Sequence, residues 1–162
     1  MKNVSEFIFS LCFFFLSFSV CAQGYCEVGL SDKKYILDEF KKSEKNDTSF
    51  KYTFVENDSS LFVTINGAEK IEFDYYFGSD SLCVCQESRY YCCECGEKHK
   101  KQILKSMYKF KRGKDGIYYS KFKMHTSATI TSGKEPGSCI TIRFNAINIT
   151  KEEYKQKFSV AK

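Results

Sequence analysis

From Phe50 onward the apolar residues recur at every second position, a period that admits little except half-buried β-strands. Phe50, Tyr52 and Phe54 alternate with Lys51 and Thr53; Leu61, Val63 and Ile65 follow, then Ile71, Phe73 and Tyr75. Turn lengths can be tested against this pattern, because a slip of one residue sends every side chain to the opposite face. A loop at Asn57-Asp58-Ser59-Ser60 sets Phe54 opposite Val63 and Tyr52 opposite Ile65. An odd-length turn at Asn66-Gly67-Ala68 sets Val63 opposite Ile71 and Leu61 opposite Phe73. A two-residue Asn-Gly turn would place Val63 against Lys70, so the odd turn is expected. The result is an antiparallel meander with one apolar face.

The same test applies to a second hairpin, residues 103–112 with 117–124. A three-residue loop, Lys114-Asp115-Gly116, suits a turn with glycine in the left-handed region. It gathers Leu104, Tyr108, Phe110, Tyr118, Phe122 and Met124 on one face. The other face receives Lys105, Lys109, Lys111, Lys121 and Lys123, with Tyr119 as its only ring. Further strands are expected at 126–131 and 139–149. In the latter the alternation changes phase between Phe144 and Ile147, which predicts a bulge near Asn145.

Two segments break the period. Residues 31–45 place Ile36, Leu37 and Phe40 on one side of a short helix, with Ser31 as its N-cap. Thr150 and Glu153 have the spacing of a capping box for a short C-terminal helix that carries Tyr154 and Phe158. Eight or nine short strands without long helices between them define an all-β chain. The expected architecture is an antiparallel β-sandwich or partly closed barrel, disulfide-stabilised, with a short helix near each end.

Residues 1–22 stand apart. Lys2 precedes an apolar run, Phe7 to Val20, with six phenylalanines, and Ala22 closes it with Val20 two positions earlier. This is the layout of a signal peptide, and the run is too short for a permanent membrane span. The expected organisation is a signal peptide at 1–22 and one secreted, extracellular domain at 23–162, with no transmembrane segment. That domain keeps all 11 tyrosines and a net charge of +5. Asn46, Asn57 and Asn148 each begin an Asn-x-Ser/Thr sequon, which makes them glycosylation candidates in an exported chain.

Seven cysteines follow Ala22: Cys26, Cys83, Cys85, Cys92, Cys93, Cys95 and Cys139. All are disulfide candidates, and the odd count leaves one over unless cleavage after Ser19 retains Cys21. Five of them crowd into 83–95. With Gln86-Glu87-Ser88-Arg89 as a turn, a hairpin sets Cys83 opposite Cys92. A shifted register sets Cys85 opposite Cys93 and Cys83 opposite Cys95. Cys26 and Cys139 would then tie the N-terminal segment or the last strand to the body. The rival reading is a thiolate metal cluster, which export into an oxidising compartment disfavours, so no cofactor or metal is expected.

Between Lys98 and Lys114 there are eight Lys or Arg residues and no Asp or Glu. Together with Lys121 and Lys123 they predict an electropositive hairpin face suited to an anionic partner. An extracellular protein or a sulfated glycan fits better than nucleic acid, which an exported chain seldom meets. His99 and His125 read as a solvated basic residue and a loop residue. No Gly-x-Ser-x-Gly, His-Glu-x-x-His or phosphate-cradling loop is present. The expectation is therefore non-catalytic binding outside the cell. The alternatives are a barrel-type carrier of a small apolar ligand and, further off, a thiolate metal-binding protein.

Overall fold

The computed structural model describes residues 26–105, 109–120, 126–133 and 136–159. The signal peptide expected at 1–22 lies outside them, as do Lys121 and Lys123. Eight strands and three helices are described. Helix α1 (Lys33–Asn46) leads into β1 (Lys51–Asn57), β2 (Ser60–Asn66), β3 (Lys70–Phe77) and β4 (Cys83–Tyr90). Helix α2 (Cys93–Lys105) follows, then β5 (Phe110–Arg112), β6 (Tyr118–Ser120), β7 (Thr126–Ser132) and β8 (Ile140–Ala146). Helix α3 (Lys151–Gln156) closes the described chain.

All eight strands join one antiparallel sheet in the order β1-β2-β3-β4-β8-β7-β6-β5. The expected sandwich or partly closed barrel is therefore replaced by a single sheet that is not closed. The reason lies in β4. Gln86–Arg89, expected as a turn, is the middle of this strand, which bonds β3 on one side and β8 on the other. It thus joins the meander and the C-terminal strands into one surface.

Register follows the parity argument, with one displacement. Tyr52 opposes Ile65 and Phe54 opposes Val63, as the 57–60 turn demands. The next turn is odd, but it comprises Gly67-Ala68-Glu69, so Val63 meets Phe73 and Ile65 meets Ile71. This shift of two residues preserves both faces. Gly67 is needed there because an added Cβ would lie 2.6 Å from the Phe50 ring. In the β5–β6 hairpin Phe110 opposes Ser120 and Arg112 opposes Tyr118 around Lys114-Asp115-Gly116. Gly116 has φ +81°, the left-handed position that the turn requires. The irregularity expected near Asn145 falls elsewhere: β8 runs without a shift to Ala146, and the bulge sits between Tyr76 and Phe77.

One face of the sheet carries the core. Asp32, not Ser31, caps α1, accepting the Tyr35 N–H at 2.7 Å. Ile36, Leu37 and Phe40 are buried on Leu61, Val63, Phe73 and Tyr75. The Phe40 ring meets those of Tyr52, Phe54, Phe73 and Tyr75 at 5.8–6.4 Å. A second cluster joins Tyr90, Ile140 and Ile142 to Ile103 of α2. Glycine at 96 lets α2 come close, since a Cβ there would lie 3.1 Å from Ile140. At the other end, Thr150 and Glu153 form the capping box of α3.

The opposite face of β3, β4 and β8 carries charge. The Arg89 guanidinium bonds Asp74 through two nitrogens, both at 2.7 Å, and reaches Glu72 and Glu87 at 3.0 Å. Arg143 approaches Glu87 from β8 at 3.6 Å, and Lys70 holds Glu72 at 2.6 Å.

Candidate functional site

The chemistry-bearing residues converge where β4 hands over to α2. Residues 93–105 are helical rather than a continuation of strand, so neither expected cross-strand cysteine pairing forms. Instead Cys92 bonds Cys95 and Cys93 bonds Cys139. Both bonds anchor the 83–95 region, but neither uses Cys83 or Cys85.

The two bonds do different physical work. Cys93–Cys139 spans 46 residues and ties the start of α2 to the start of β8. In the chain-entropy account such a loop is worth about 4 kcal/mol, against about 2 kcal/mol for a loop of four residues. Cys92–Cys95 closes only such a short loop, with a sequence separation of 3. It constrains a helical turn that the helix already holds.

That turn is well furnished. Cys92 precedes the first helical residue, and its sulfur accepts the Cys95 backbone N–H at 3.2 Å. The helix start thereby directs an unpaired N–H at sulfur. Glu69, from the β2–β3 turn, brings its carboxylate against the Cys95 sulfur. The Glu69, Cys92 and Cys95 donor atoms all lie within 4.8 Å of one another. While the disulfide is closed, the sulfurs offer no thiolates to a metal. The spacing Cys92-x-x-Cys95 before a Lys/Glu/Gln-rich segment was the signal in the sequence; the overlapping Cys92-Cys93 pair obscured it.

Among the described residues three cysteines stay free: Cys26, Cys83 and Cys85. Cys83 and Cys85 are buried, and Cys26 is half-buried. The Cys83 thiol hydrogen-bonds Cys26 and, with burial, pushes its titration well up. Burial likewise raises Cys85, against the opposing pull of Arg143. Both effects favour the neutral thiol at Cys26 and Cys85.

The lysines are redistributed. Lys105 belongs to the last turn of α2 rather than to a strand. Lys109 precedes β5 and Lys111 lies within it, both exposed; Lys121 and Lys123 lie outside the described residues. The face expected to be open at β5–β6 is partly covered. Tyr119 is buried edge-on against Phe158, and Lys111 lies 4.5 Å over the Phe158 ring. A different cationic row appears on α2, where Lys98, Lys101 and Lys105 are exposed at i, i+3 and i+7. They border an open groove of about 600 Å³ together with Glu94, Glu97 and Gln102. Lys100, by contrast, is engaged by Glu97 at 3.1 Å.

His99 is not the solvated basic residue expected from its neighbours. It stacks on Tyr90 with ring centroids 4.9 Å apart, and its Nδ1 is buried without a hydrogen-bond partner. Burial lowers its pKa, only partly opposed by Gln102. His125 lies outside the described residues. The three sequon asparagines are exposed: Asn46 ends α1, Asn57 ends β1, and Asn148 lies between β8 and α3. Among the described residues no helix is long and apolar enough to cross a membrane. Comparison with known families, curated proteins and solved structures returns no match for this chain.

Proposed function

We propose that this chain is an exported, glycosylated binding protein, stapled by disulfides, that engages an anionic partner through the lysine row of α2. The observation that carries this reading is the exposure of Lys98, Lys101 and Lys105 on one helical face. None of the three forms an ion pair among the described residues. Three lysines against Glu94 and Glu97 along the same groove leave a positive excess, a field that draws in polyanions and weakens with salt. Lys109 and Lys111 extend the positive surface beyond the helix. The partner class is a sulfated glycan or an acidic extracellular protein surface.

Heparin serves as the probe. Replacing Lys98, Lys101 and Lys105 together by glutamate should bring elution to markedly lower salt. The matched variant Lys41→Glu, Lys42→Glu, Lys45→Glu on α1 makes the same change of net charge elsewhere. Equal shifts for the two variants would mean that only net charge is being read, and the α2 surface would be rejected.

The alternative of an apolar-ligand carrier gains little from this fold. The apolar sheet face that would have to hold a ligand is occupied by Ile36, Leu37 and Phe40 of α1 and Ile103 of α2.

A further inference from the structure

We infer that the Cys92–Cys95 bond is a thiol–disulfide exchange site, whereas Cys93–Cys139 is a structural staple. The inference is independent of the lysine row and adds an activity to the binding reading. Its ligand class is a thiol, or a dithiol, of a small molecule or an extended polypeptide.

Three observations meet at this turn. A Cys-x-x-Cys pair opens a 13-residue helix. The Cys92 sulfur already accepts the Cys95 N–H at 3.2 Å, a contact that stabilises the sulfur more when it becomes a thiolate. A carboxylate, Glu69, touches the second sulfur from a different element. Cys92 and Cys95 are each only half-buried, so a small thiol can reach the turn, in contrast to the buried Cys83 and Cys85. Glu69 from the β2–β3 turn lies with the two sulfurs, and Glu94 sits between the two cysteines in the first turn of α2.

The exchange balances as two displacements. A client thiolate attacks the Cys92 sulfur; the Cys92–Cys95 bond breaks, and Cys95 leaves as a thiolate. It takes up a proton, for which Glu69 is the adjacent relay. A second client thiolate then attacks the client sulfur of the mixed disulfide. The client disulfide forms, and Cys92 leaves as a thiolate held by the helix N–H. Two electrons pass from client to protein, and the reverse sequence reduces a client disulfide. In that direction Glu69 removes the proton from Cys95 so that it can attack the mixed disulfide at Cys92.

The test uses the full-length oxidised protein with glutathione as the probe. The protein is equilibrated over a series of reduced-to-oxidised glutathione ratios, quenched by alkylation, and mapped by peptide mass. Cys92 and Cys95 should take up label at ratios where Cys93–Cys139 stays closed and the fold, followed by circular dichroism, is intact. Opening of both bonds together, or only on unfolding, would overturn the inference. As a second arm, Cys95→Ser should accumulate a glutathione adduct on Cys92. In Glu69→Gln, resolution of the mixed disulfide should slow by more than about tenfold at unchanged thermal stability. Exchange in Glu69→Gln at the parent rate would remove Glu69 from the scheme, and an adduct confined to Cys93 would overturn the assignment of Cys92.

Discussion

At the scale of single residues, the strongest interactions sit on the face of the sheet away from the helices. Arg89 lies between Asp74, Glu72 and Glu87, and its side chain is 14% exposed. Asp74 leads the groups that hold the guanidinium in its charged form. Removing one partner of a desolvated network leaves the others uncompensated, which costs more than the pair contributes when intact. Arg89→Met is therefore expected to lose about 3 kcal/mol in urea unfolding, and adding Asp74→Asn should recover part of that loss. Additive losses in the double variant would contradict the coupling.

Glu72 gives the same network a pH dependence. Burial by itself would raise its pKa, but hydrogen bonds from Lys70, Tyr91 and Arg89 outweigh burial and hold it below the ordinary carboxylate value. Its stabilisation is thus complete above the unfolded pKa of about 4.3 and is lost as pH falls through the lower folded value. His99 acts at higher pH in the same direction. Half-buried and stacked on Tyr90 when folded, it is easier to protonate once unfolded, so stability declines as pH falls from about 6.5 through its lowered folded pKa. Urea midpoints measured against pH should show both declines. Glu72→Gln should flatten the acidic one and leave the one below about 6.5 in place.

Among elements, α1 and α2 decide how the apolar face is closed. Phe40 meets four aromatic rings from two strands, β1 and β3, and it is fully buried. Phe40→Ala should cost about 3–5 kcal/mol, measurable as a shift in the denaturation midpoint. For α2 the critical contact is Gly96 on Ile140. Gly96→Val should destabilise by about 1–3 kcal/mol through overpacking, and Ile140→Ala should relieve part of it. If Ile140→Ala gives no relief, the helix does not lean on β8 at this point.

The contrast between these helices explains what was legible in the sequence. The face containing Ile36, Leu37 and Phe40 is apolar enough to stand out, and the Thr150–Glu153 cap has a local spacing. Strand faces in the meander were readable because period two is strict there. Residues 93–105 offered only Ile103 and Gly96 as buried positions, so no apolar stripe announced a helix. Likewise β4 buries Gln86 and Ser88 on its inner face while Glu87 and Arg89 point to the charged side. A strand polar on both faces reads as a turn until its neighbours are known. The Glu69 contact was invisible because it joins residues 26 apart.

At the scale of the whole molecule, the described residues form one sheet whose centre is a polar strand and whose apolar face is roofed by two helices. The two disulfides lie at one end of that arrangement, where β4, α2 and β8 meet. They fix the helix start that carries both the exchange-competent pair and the lysine row. The most direct measurement is the disulfide map of the purified full-length protein, alkylated without reduction and cut by trypsin and a glutamate-specific protease. The predicted result is a single linked cluster containing Cys92, Cys93, Cys95 and Cys139, with peptides of Cys26, Cys83 and Cys85 outside it. Cys83 or Cys85 joined to any cysteine of 92–95 would restore the cross-strand hairpin and contradict the helix on which the account rests.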